Sequence, residues 1–186
     1  LSDFICADIG SSTGGFTHCM LINGAKKVYS IDVGYNQLDY KLRIDDRVIV
    51  LERTNIRYLD NNLISDEIDF ISIDVSFISL QLVLPKAYEI LKDGSYLVAL
   101  IKPQFEAGKE KVGKNGIIRD PKVHAEVLNN TLSFAEKIGF SIQDLTYSPI
   151  KGTKGNIEFL VLLKKSSEPS IDINIDSILK STDELE

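Results

Sequence analysis

The chain has 186 residues, of which 44% are hydrophobic and 26% are charged, and its formal net charge at pH 7 is −6. This length is enough for one domain with a sizeable core and too short for two full-sized domains. No run approaches the roughly 20 apolar residues of a membrane-spanning helix, which excludes a transmembrane protein.

Short β-rich apolar runs alternate with segments of helical periodicity along almost the whole chain, as in α/β domains with a mostly parallel sheet. The apolar runs predict seven strands, near residues 4–8, 27–32, 47–51, 69–74, 95–101, 140–147 and 156–164. The periodic segments predict helices that include 14–23, 81–92 and 121–138. The last of these helices has Asp120 as N-cap, Pro121 at its first position and Gly139 after its end.

The last two predicted strands are joined by residues 148–155, a connection too short for the crossover helix that parallel neighbours need. We therefore expect them to pair antiparallel. Five parallel strands followed by an antiparallel pair are typical of the Rossmann-like fold of S-adenosylmethionine (AdoMet)-dependent methyltransferases. The sequence thus predicts an α/β fold with a seven-stranded, mostly parallel sheet whose last strand is antiparallel.

A glycine-rich loop, Asp8 to Phe16, joins the first predicted strand to the first predicted helix. Glycines at such a turn let a ligand approach the backbone at a helix N-terminus. The spacing is neither the dinucleotide-binding pattern nor a P-loop, and the Asp8 carboxylate favours the cationic amino and sulfonium groups of AdoMet over a pyrophosphate. Asp32 ends the next predicted strand, where an acidic side chain can bind both ribose hydroxyls of an adenosine. Asn55 follows the third predicted strand, where it lines an adenine pocket, caps a short helix, or does both.

Three charged residues belong to apolar strands, and the carboxyl ends of such strands are where open α/β sheets bind ligands. Asp74 ends the fourth predicted strand, Lys102 ends the fifth, and Glu158 lies within the seventh. A charge in such a run is costly unless it is paired, so we predict one ion-paired group in which Lys102 takes a proton from a hydroxyl. The structural alternatives are a helix cap, a rim lysine and an outward-facing strand residue.

Cys6 and Cys19 lack a CxxC spacing, and the chain has only two histidines. This excludes a disulfide framework and a four-ligand zinc site, and no metal is predicted. Both cysteines are expected to be reduced, buried hydrophobic side chains of a cytoplasmic protein.

Several stretches, in order between residues 4 and 164, resemble the TlyA (hemolysin A) family of bacterial proteins, which carries an FtsJ-like (RrmJ-like) methyltransferase domain. These stretches are Asp8–Phe16, Asp74–Leu80, Lys102–Glu106, Val112–Lys114 with Gly116 and Arg119–Asp120, and Ser148–Ile150 with Gly155–Phe159. The resemblance implies AdoMet-dependent 2′-O-methylation of ribosomal RNA. It also implies a Lys-Asp-Lys-Glu tetrad, of which Asp74, Lys102 and Glu158 are the last three members. The cofactor-binding residues predicted in all are Asp8, Gly10, Ser11, Thr13, Gly14, Gly15, Phe16, Asp32, Asn55 and Asp74.

The first lysine of the tetrad and the family's small N-terminal RNA-binding domain have no counterpart in this sequence. Because the chain starts at Leu1, just before its first strand, we expect it to come from a longer protein and to be inactive alone. Residues 1–165 are then the methyltransferase domain. Residues 166–186 carry six acidic residues and one lysine, and form an acidic tail that is disordered or a packed appendage.

Between residues 102 and 122 the chain has six basic residues and three acidic ones. A basic, glycine-bearing loop beside the reactive crevice favours phosphate contacts, although a solvated loop is the alternative. The predicted RNA contacts are Lys109, Lys111, Lys114 and Arg119. The predicted partners are ribosomal RNA or ribosomal subunits, with no membrane, and the oligomeric state is open.

Two other function classes remain. One is a non-catalytic domain that binds RNA or AdoMet, or forms pores as the hemolysin name suggests, although the chain lacks amphipathic or spanning segments. The other is a methyltransferase acting on a base or a small molecule. Against an amine-directed enzyme, Asp74-Val75-Ser76-Phe77 is not the Asn/Asp-Pro-Pro-Tyr pattern typical of that class.

Overall fold

A computed structural model of the protein describes residues 1–185, apart from the side chains of Thr153 and Glu184. Glu186, the last residue of the predicted tail, lies outside the described residues. The chain forms a seven-stranded sheet of order β3-β2-β1-β4-β5-β7-β6. The strands are β1 (Ile5–Ile9), β2 (Lys27–Ile31), β3 (Val48–Leu51), β4 (Ile68–Ile73), β5 (Leu91–Ile101), β6 (Phe140–Tyr147) and β7 (Phe159–Lys165).

The pairing of the strands confirms the predicted fold class. Strands β1 to β5 pair parallel with one another, whereas β7 pairs antiparallel with both β5 and β6. The order in which strands are added to the sheet reverses between β1 and β4. Strands β2 and β3 extend the sheet to one side of β1, and β4 and the later strands extend it to the other side. Ligands of open α/β sheets bind at such a reversal, outside the carboxyl ends of the strands.

Within residues 1–185 there are six α-helices and several short 3₁₀ turns, and all of the helices except the last lie between strands. The helices are α1 (Gly15–Ile22), α2 (Tyr40–Arg43), α3 (Leu84–Ile90), α4 (Pro103–Glu106), α5 (Pro121–Lys137) and α6 (Ile175–Ser181). The prediction for α5 is confirmed: the Asp120 carboxylate accepts a hydrogen bond from Lys122 N (2.9 Å), and Gly139 follows the helix with φ +111°.

The helix predicted over 81–92 is shorter in the structure. A 3₁₀ turn at Leu80–Leu82 precedes α3, and Pro85 stands in the first turn of α3, the only part of a helix where its missing N–H costs nothing. Strand β5 starts directly after α3, so the chain leaves the helix four residues before the predicted strand start at 95.

Two apolar clusters pack the helices against the sheet. The larger one includes Leu128 of α5 and Phe159 of β7, and the smaller one includes Cys6 of β1 and Met20 of α1. Each fully buried side chain of this size contributes roughly 1.5–3 kcal/mol relative to its exposed state. Cys6 is buried as predicted, but Cys19 is exposed, because it lies on the outer face of α1.

The segment after β7 is packed, which is one of the two alternatives for the acidic tail. Ile171 N donates to Ile142 O (3.0 Å), so the chain runs along the free edge of β6. Ile175 and Leu179 of α6 then pack against the larger apolar cluster. None of the helices described between residues 1 and 185 combines the length and the apolar character needed to cross a bilayer.

Candidate active site

The glycine-rich loop between β1 and α1 touches the start of the loop after β4. Gly10 has φ +84°, and a Cβ atom at this position would lie 2.1 Å from the Asp74 carbonyl oxygen. Any side chain at position 10 would therefore separate the two loops. Gly14 has φ +99°, and its missing Cβ makes room for the Leu42 side chain, which packs against this turn of the loop.

The buried Asp8 side chain fixes the position of this loop. Its side chain is 0% exposed, and its carboxylate accepts hydrogen bonds from Thr17 N (2.9 Å), Thr17 Oγ1 (2.7 Å) and Ser72 Oγ (3.0 Å). Burial raises the pKa of Asp8, while these hydrogen bonds act in the opposite direction. Asp8 thereby positions the loop and α1, and its direct contact with a cofactor stays a prediction.

A cavity of about 320 Å³ opens at the carboxyl ends of β1, β2 and β4. Four of the predicted cofactor residues line it: Gly10, Asp32, Asn55 and Asp74. The Asp32 carboxylate accepts hydrogen bonds from Ser12 N (2.8 Å) and Gly34 N (2.7 Å), which fixes its orientation at the cavity wall. Asn55 Oδ1 accepts from Arg57 N (3.1 Å), so Asn55 caps a 3₁₀ turn and lines the cavity at the same time.

The remaining predicted cofactor residues, Ser11, Thr13, Gly14, Gly15 and Phe16, do not line this cavity. Phe16 instead packs against the smaller apolar cluster. The sequence reasoning missed other lining residues: Val33, Ile56 and Val75 directly follow predicted ones, and Thr54 and Ile78 lie close to them in the sequence. This proximity to the predicted residues was the available signal.

Asp74 and Lys102 form the ion pair that the sequence predicts. Asp74 Oδ1 lies 2.5 Å from Lys102 Nζ, and the exposed fractions of the two side chains are 35% and 12%. The two residues follow β4 and β5 directly, and these strands are parallel neighbours. Lys102 Nζ also donates to Ser76 Oγ at 3.4 Å.

Glu158 differs from its prediction in two respects. It precedes β7 rather than lying within it, because residues 152–156 form a turn closed by a hydrogen bond from Gly152 N to Asn156 O (2.8 Å). It is 8% exposed, and among the described side chains its partner is an amide, Gln104 Nε2 (2.9 Å), rather than a lysine. Lys102 is already paired with Asp74. The arrangement is thus an ion pair with a neighbouring carboxylate, and Gln104 is a site residue that the sequence reasoning missed.

A second cavity, of about 570 Å³, contains the Lys102 and Glu158 side chains. Lys109 and Lys154 add positive charge to its wall, and Lys154 was missed in the sequence. The two cavities share Ser76 and Phe77 as lining residues. A small molecule in the first cavity and a group in the second would therefore both contact the loop after β4.

The predicted RNA contacts have different surroundings. Lys109 faces the second cavity, Lys114 and Arg119 are exposed, and Lys111 forms an ion pair with Glu126. A further basic surface lies beside Asn55 and was missed in the sequence. There, Arg53 stacks on the Tyr35 ring (4.1 Å from the guanidinium carbon to the ring centroid) and Arg57 lies over the Tyr58 ring (5.1 Å).

Within residues 1–185, no three His, Cys, Asp or Glu side chains come together in a way that could hold a metal ion.

The chain is similar to several known proteins. YqxC of Bacillus subtilis is 57% identical over 164 residues, which cover 88% of this chain and 58% of that protein. The 16S/23S rRNA (cytidine-2′-O)-methyltransferase TlyA of Mycobacterium tuberculosis is 40% identical over 166 residues, 89% of this chain and 62% of TlyA. The chain thus spans about three fifths of the length of these curated relatives.

A solved structure of a hemolysin-type protein from Streptococcus thermophilus superposes with a TM-score of 0.94 at 50% identity, covering 98% of this chain and 67% of that one. The family model for FtsJ-like methyltransferases matches residues 2–165, which include every strand of the sheet. The predicted resemblance is confirmed, and the chain belongs to the FtsJ-like methyltransferase family.

Proposed function

We propose that this protein transfers a methyl group from AdoMet to a ribose 2′-hydroxyl of ribosomal RNA. The observation that carries the proposal is the Asp74–Lys102 ion pair, which stands between two adjoining cavities. Membership of a methyltransferase family and similarity to a ribose-directed rRNA methyltransferase support it.

The first cavity fits AdoMet. Its volume lies within the roughly 300–1,000 Å³ of small-molecule sites, and its wall combines apolar side chains with few polar groups. Asp32 would bind the ribose hydroxyls, and Asn55 with Ile56 and Val75 would hold the adenine. Gly10 lines this cavity, and its lack of a side chain lets the Asp74 backbone approach the glycine-rich loop there. When bound, AdoMet supplies the methyl group.

The second cavity would receive the target nucleotide. Attack by a 2′-hydroxyl requires removal of its proton as the new C–O bond forms. Lys102 Nζ is placed to hold this hydroxyl and to receive its proton, and Asp74 and Ser76 fix the position of that nitrogen. Glu158, held by Gln104, adds a buried carboxylate to the lining of the same cavity. Catalysis here depends on holding the hydroxyl and the amine at the right distance.

RNA binding would use the cations around this cavity. Lys109 and Lys154 line it, and Lys114 lies on the same exposed loop as Lys109. Arg53 and Arg57, each placed over a tyrosine ring, add a surface that suits phosphates and stacked bases. We infer that further RNA contacts lie outside residues 1–165, as in the family, and that the whole protein acts in the cytoplasm.

The test is to incubate the full-length protein with bacterial ribosomal subunits and AdoMet carrying a radiolabelled methyl group. The rRNA is then digested to nucleosides, and the label is located. We expect label on a ribose 2′-oxygen. Label on a base, or label only on added small molecules, would favour the other methyltransferase classes. Binding of AdoMet and RNA without any transfer would favour a non-catalytic domain.

A further inference from the structure

Two short segments that follow neighbouring strands face each other at the site. We call them the 74–80 segment, after β4, and the 102–106 segment, after β5. They meet in three consecutive contacts. Asp74 pairs with Lys102, and the Phe77 and Phe105 rings lie 4.9 Å apart at an interplanar angle of 49°. The third contact, made by the last residue of the 102–106 segment, has no part in the proposed reaction.

This third contact is a double hydrogen bond to Glu106. Its Oε2 accepts from Ser79 Oγ (2.6 Å), and its Oε1 accepts from Leu80 N (2.8 Å). The carboxylate thereby caps the 3₁₀ turn that follows the 74–80 segment, together with Ser79 Oγ, which accepts from Gln81 N (3.1 Å). Glu106 thus holds both the end of one segment and the start of the next turn.

The segment that Glu106 holds is under backbone strain. Phe77 has φ +63°, a left-handed conformation that is unusual for a bulky residue, and its side chain is 89% exposed. Such a conformation is unfavourable by itself and persists only where the surroundings over-determine it. On one side of Phe77 the chain is fixed at Asp74, and on the other side it is fixed by Glu106.

The held segment also forms a wall of both cavities. Val75, Ser76, Phe77 and Ile78 line the first cavity, and Ser76 and Phe77 line the second as well. A shift of this segment would move Asp74 relative to Lys102 and would change both cavities together.

We propose that Glu106 is a positioning residue: by binding Ser79 and Leu80, it holds the 74–80 segment in the one arrangement that aligns cofactor, Lys102 and target hydroxyl. The inference rests on the proposed function for its effect on methyl transfer. Its geometric part, the anchoring of the segment, stands without that function.

The experiment compares Glu106→Ala with Glu106→Gln. Glutamine keeps both contacts, because its amide oxygen accepts from Leu80 N and its amide nitrogen donates to Ser79 Oγ, whereas alanine removes both. Glu136→Ala, an exposed carboxylate on α5 outside both cavities, is the matched control. In the full-length protein, Glu106→Ala should lower kcat about tenfold to a hundredfold, since misplacement by about 1 Å can cost that much. The KM for rRNA should change much less, and Glu106→Gln should restore most of kcat.

Two further readouts do not depend on turnover. The affinity for AdoMet, measured by calorimetry, should fall several-fold in Glu106→Ala and stay unchanged in Glu106→Gln, since the 74–80 segment that Glu106 holds lines the first cavity. The Leu80 amide should lose protection from hydrogen exchange in Glu106→Ala only. Ser79→Ala should cause part of the loss of AdoMet affinity seen in Glu106→Ala. In a double variant, the effects of Ser79→Ala and Glu106→Ala on this affinity should be non-additive.

Unchanged kcat and AdoMet affinity in a folded Glu106→Ala protein would overturn the inference, even if Leu80 lost its protection, because the anchor would then be purely structural. Equal defects in the Gln and Ala variants would also overturn it, since the charge rather than the two contacts would matter. A wild-type protein that transfers no methyl group would overturn the proposed function instead. In that case the AdoMet affinities and the Leu80 exchange still decide whether Glu106 anchors the segment.

Discussion

Asp74 Oδ1 and Lys102 Nζ, 2.5 Å apart, join the carboxyl ends of two neighbouring parallel strands and belong to different cavities. Asp74 lines the first cavity and Lys102 the second. The two residues should therefore have different roles. Changes at Asp74 should affect both cofactor binding and the rate of the reaction, whereas changes at Lys102 should affect the rate alone.

We expect Lys102→Ala in the full-length protein to abolish methyl transfer and to leave AdoMet binding nearly intact. The reason is that Lys102 is assigned to the target hydroxyl and does not line the first cavity. Methyl transfer to rRNA and calorimetry with AdoMet test the two halves of this prediction. Lys137→Ala, at the exposed end of α5, is the control. Retained transfer in Lys102→Ala would rule out the mechanism.

Asp74→Ala and Glu158→Ala should also lose much of the rate. Because Asp74 contacts Lys102, its loss should be non-additive with that of Lys102→Ala in a double variant. Glu158 is bound to Gln104 instead, so we expect Gln104→Ala to reproduce part of the Glu158→Ala defect. Strict additivity of Asp74→Ala and Lys102→Ala, measured as single-turnover rates, would contradict the coupling.

Asp32→Ala should weaken AdoMet binding by about 1–3 kcal/mol, because a carboxylate contact to a buried ribose is lost. Asp32→Asn is the matched variant: it keeps an acceptor for Ser12 N or Gly34 N and so separates loss of the ribose contact from disorder of the loop. Calorimetry of both variants, with exposed Asp46→Ala as control, measures the effect. Unchanged affinity in Asp32→Ala would remove the cofactor assignment.

The sequence places Asp74, Lys102 and Asp32 at the carboxyl edge of the sheet because each one ends an apolar strand, and the end of a parallel strand has a known place in the fold. It gives no direction for the Asp8 side chain, because β1 is buried on both faces and the alternation along the strand is therefore uninformative. Glu106 and Gln104 were missed because their partners lie far away in sequence: Ser79 is 27 residues from Glu106, and Glu158 is 54 residues from Gln104. No local pattern reports such contacts.

RNA binding should depend on individual lysines of the basic loop to different degrees. Lys109 and Lys114 are exposed, and no described carboxylate forms an ion pair with either of them. Lys111, in contrast, is paired with Glu126. Replacing Lys109 or Lys114 by alanine should lower the slope of log affinity against log salt by about 1, and Lys111→Ala by less. Titration of this chain with rRNA fragments at several salt concentrations measures the slopes. Equal slopes in all variants would mean that the loop is merely solvated.

The two cysteines should react very differently with a thiol reagent. Burial raises the pKa of the Cys6 thiol to about 12, so almost no thiolate forms at neutral pH, whereas Cys19 is exposed on α1. We expect the native protein to be labelled once and the denatured protein twice. Cys19→Ser should remove the native labelling. Labelling of Cys6 without denaturant would show that β1 opens locally.

The stability of the protein should depend on pH through Glu106 in a defined direction. Burial raises the pKa of Glu106 above its ordinary value of 4.5. Between the unfolded and the raised folded pKa, the folded protein binds more protons than the unfolded chain, so this group adds stability as the pH falls and removes it as the pH rises.

Glu106→Gln does not titrate. Its free energy of unfolding relative to wild type should therefore be most favourable at neutral pH and should decline as the pH is lowered through that window. Asp8, whose pKa is also raised, is present in both proteins and cancels from the difference. Urea denaturation of both proteins across this pH range gives the difference, with Glu136→Gln as control. A difference that does not vary with pH would contradict the burial of a charged Glu106.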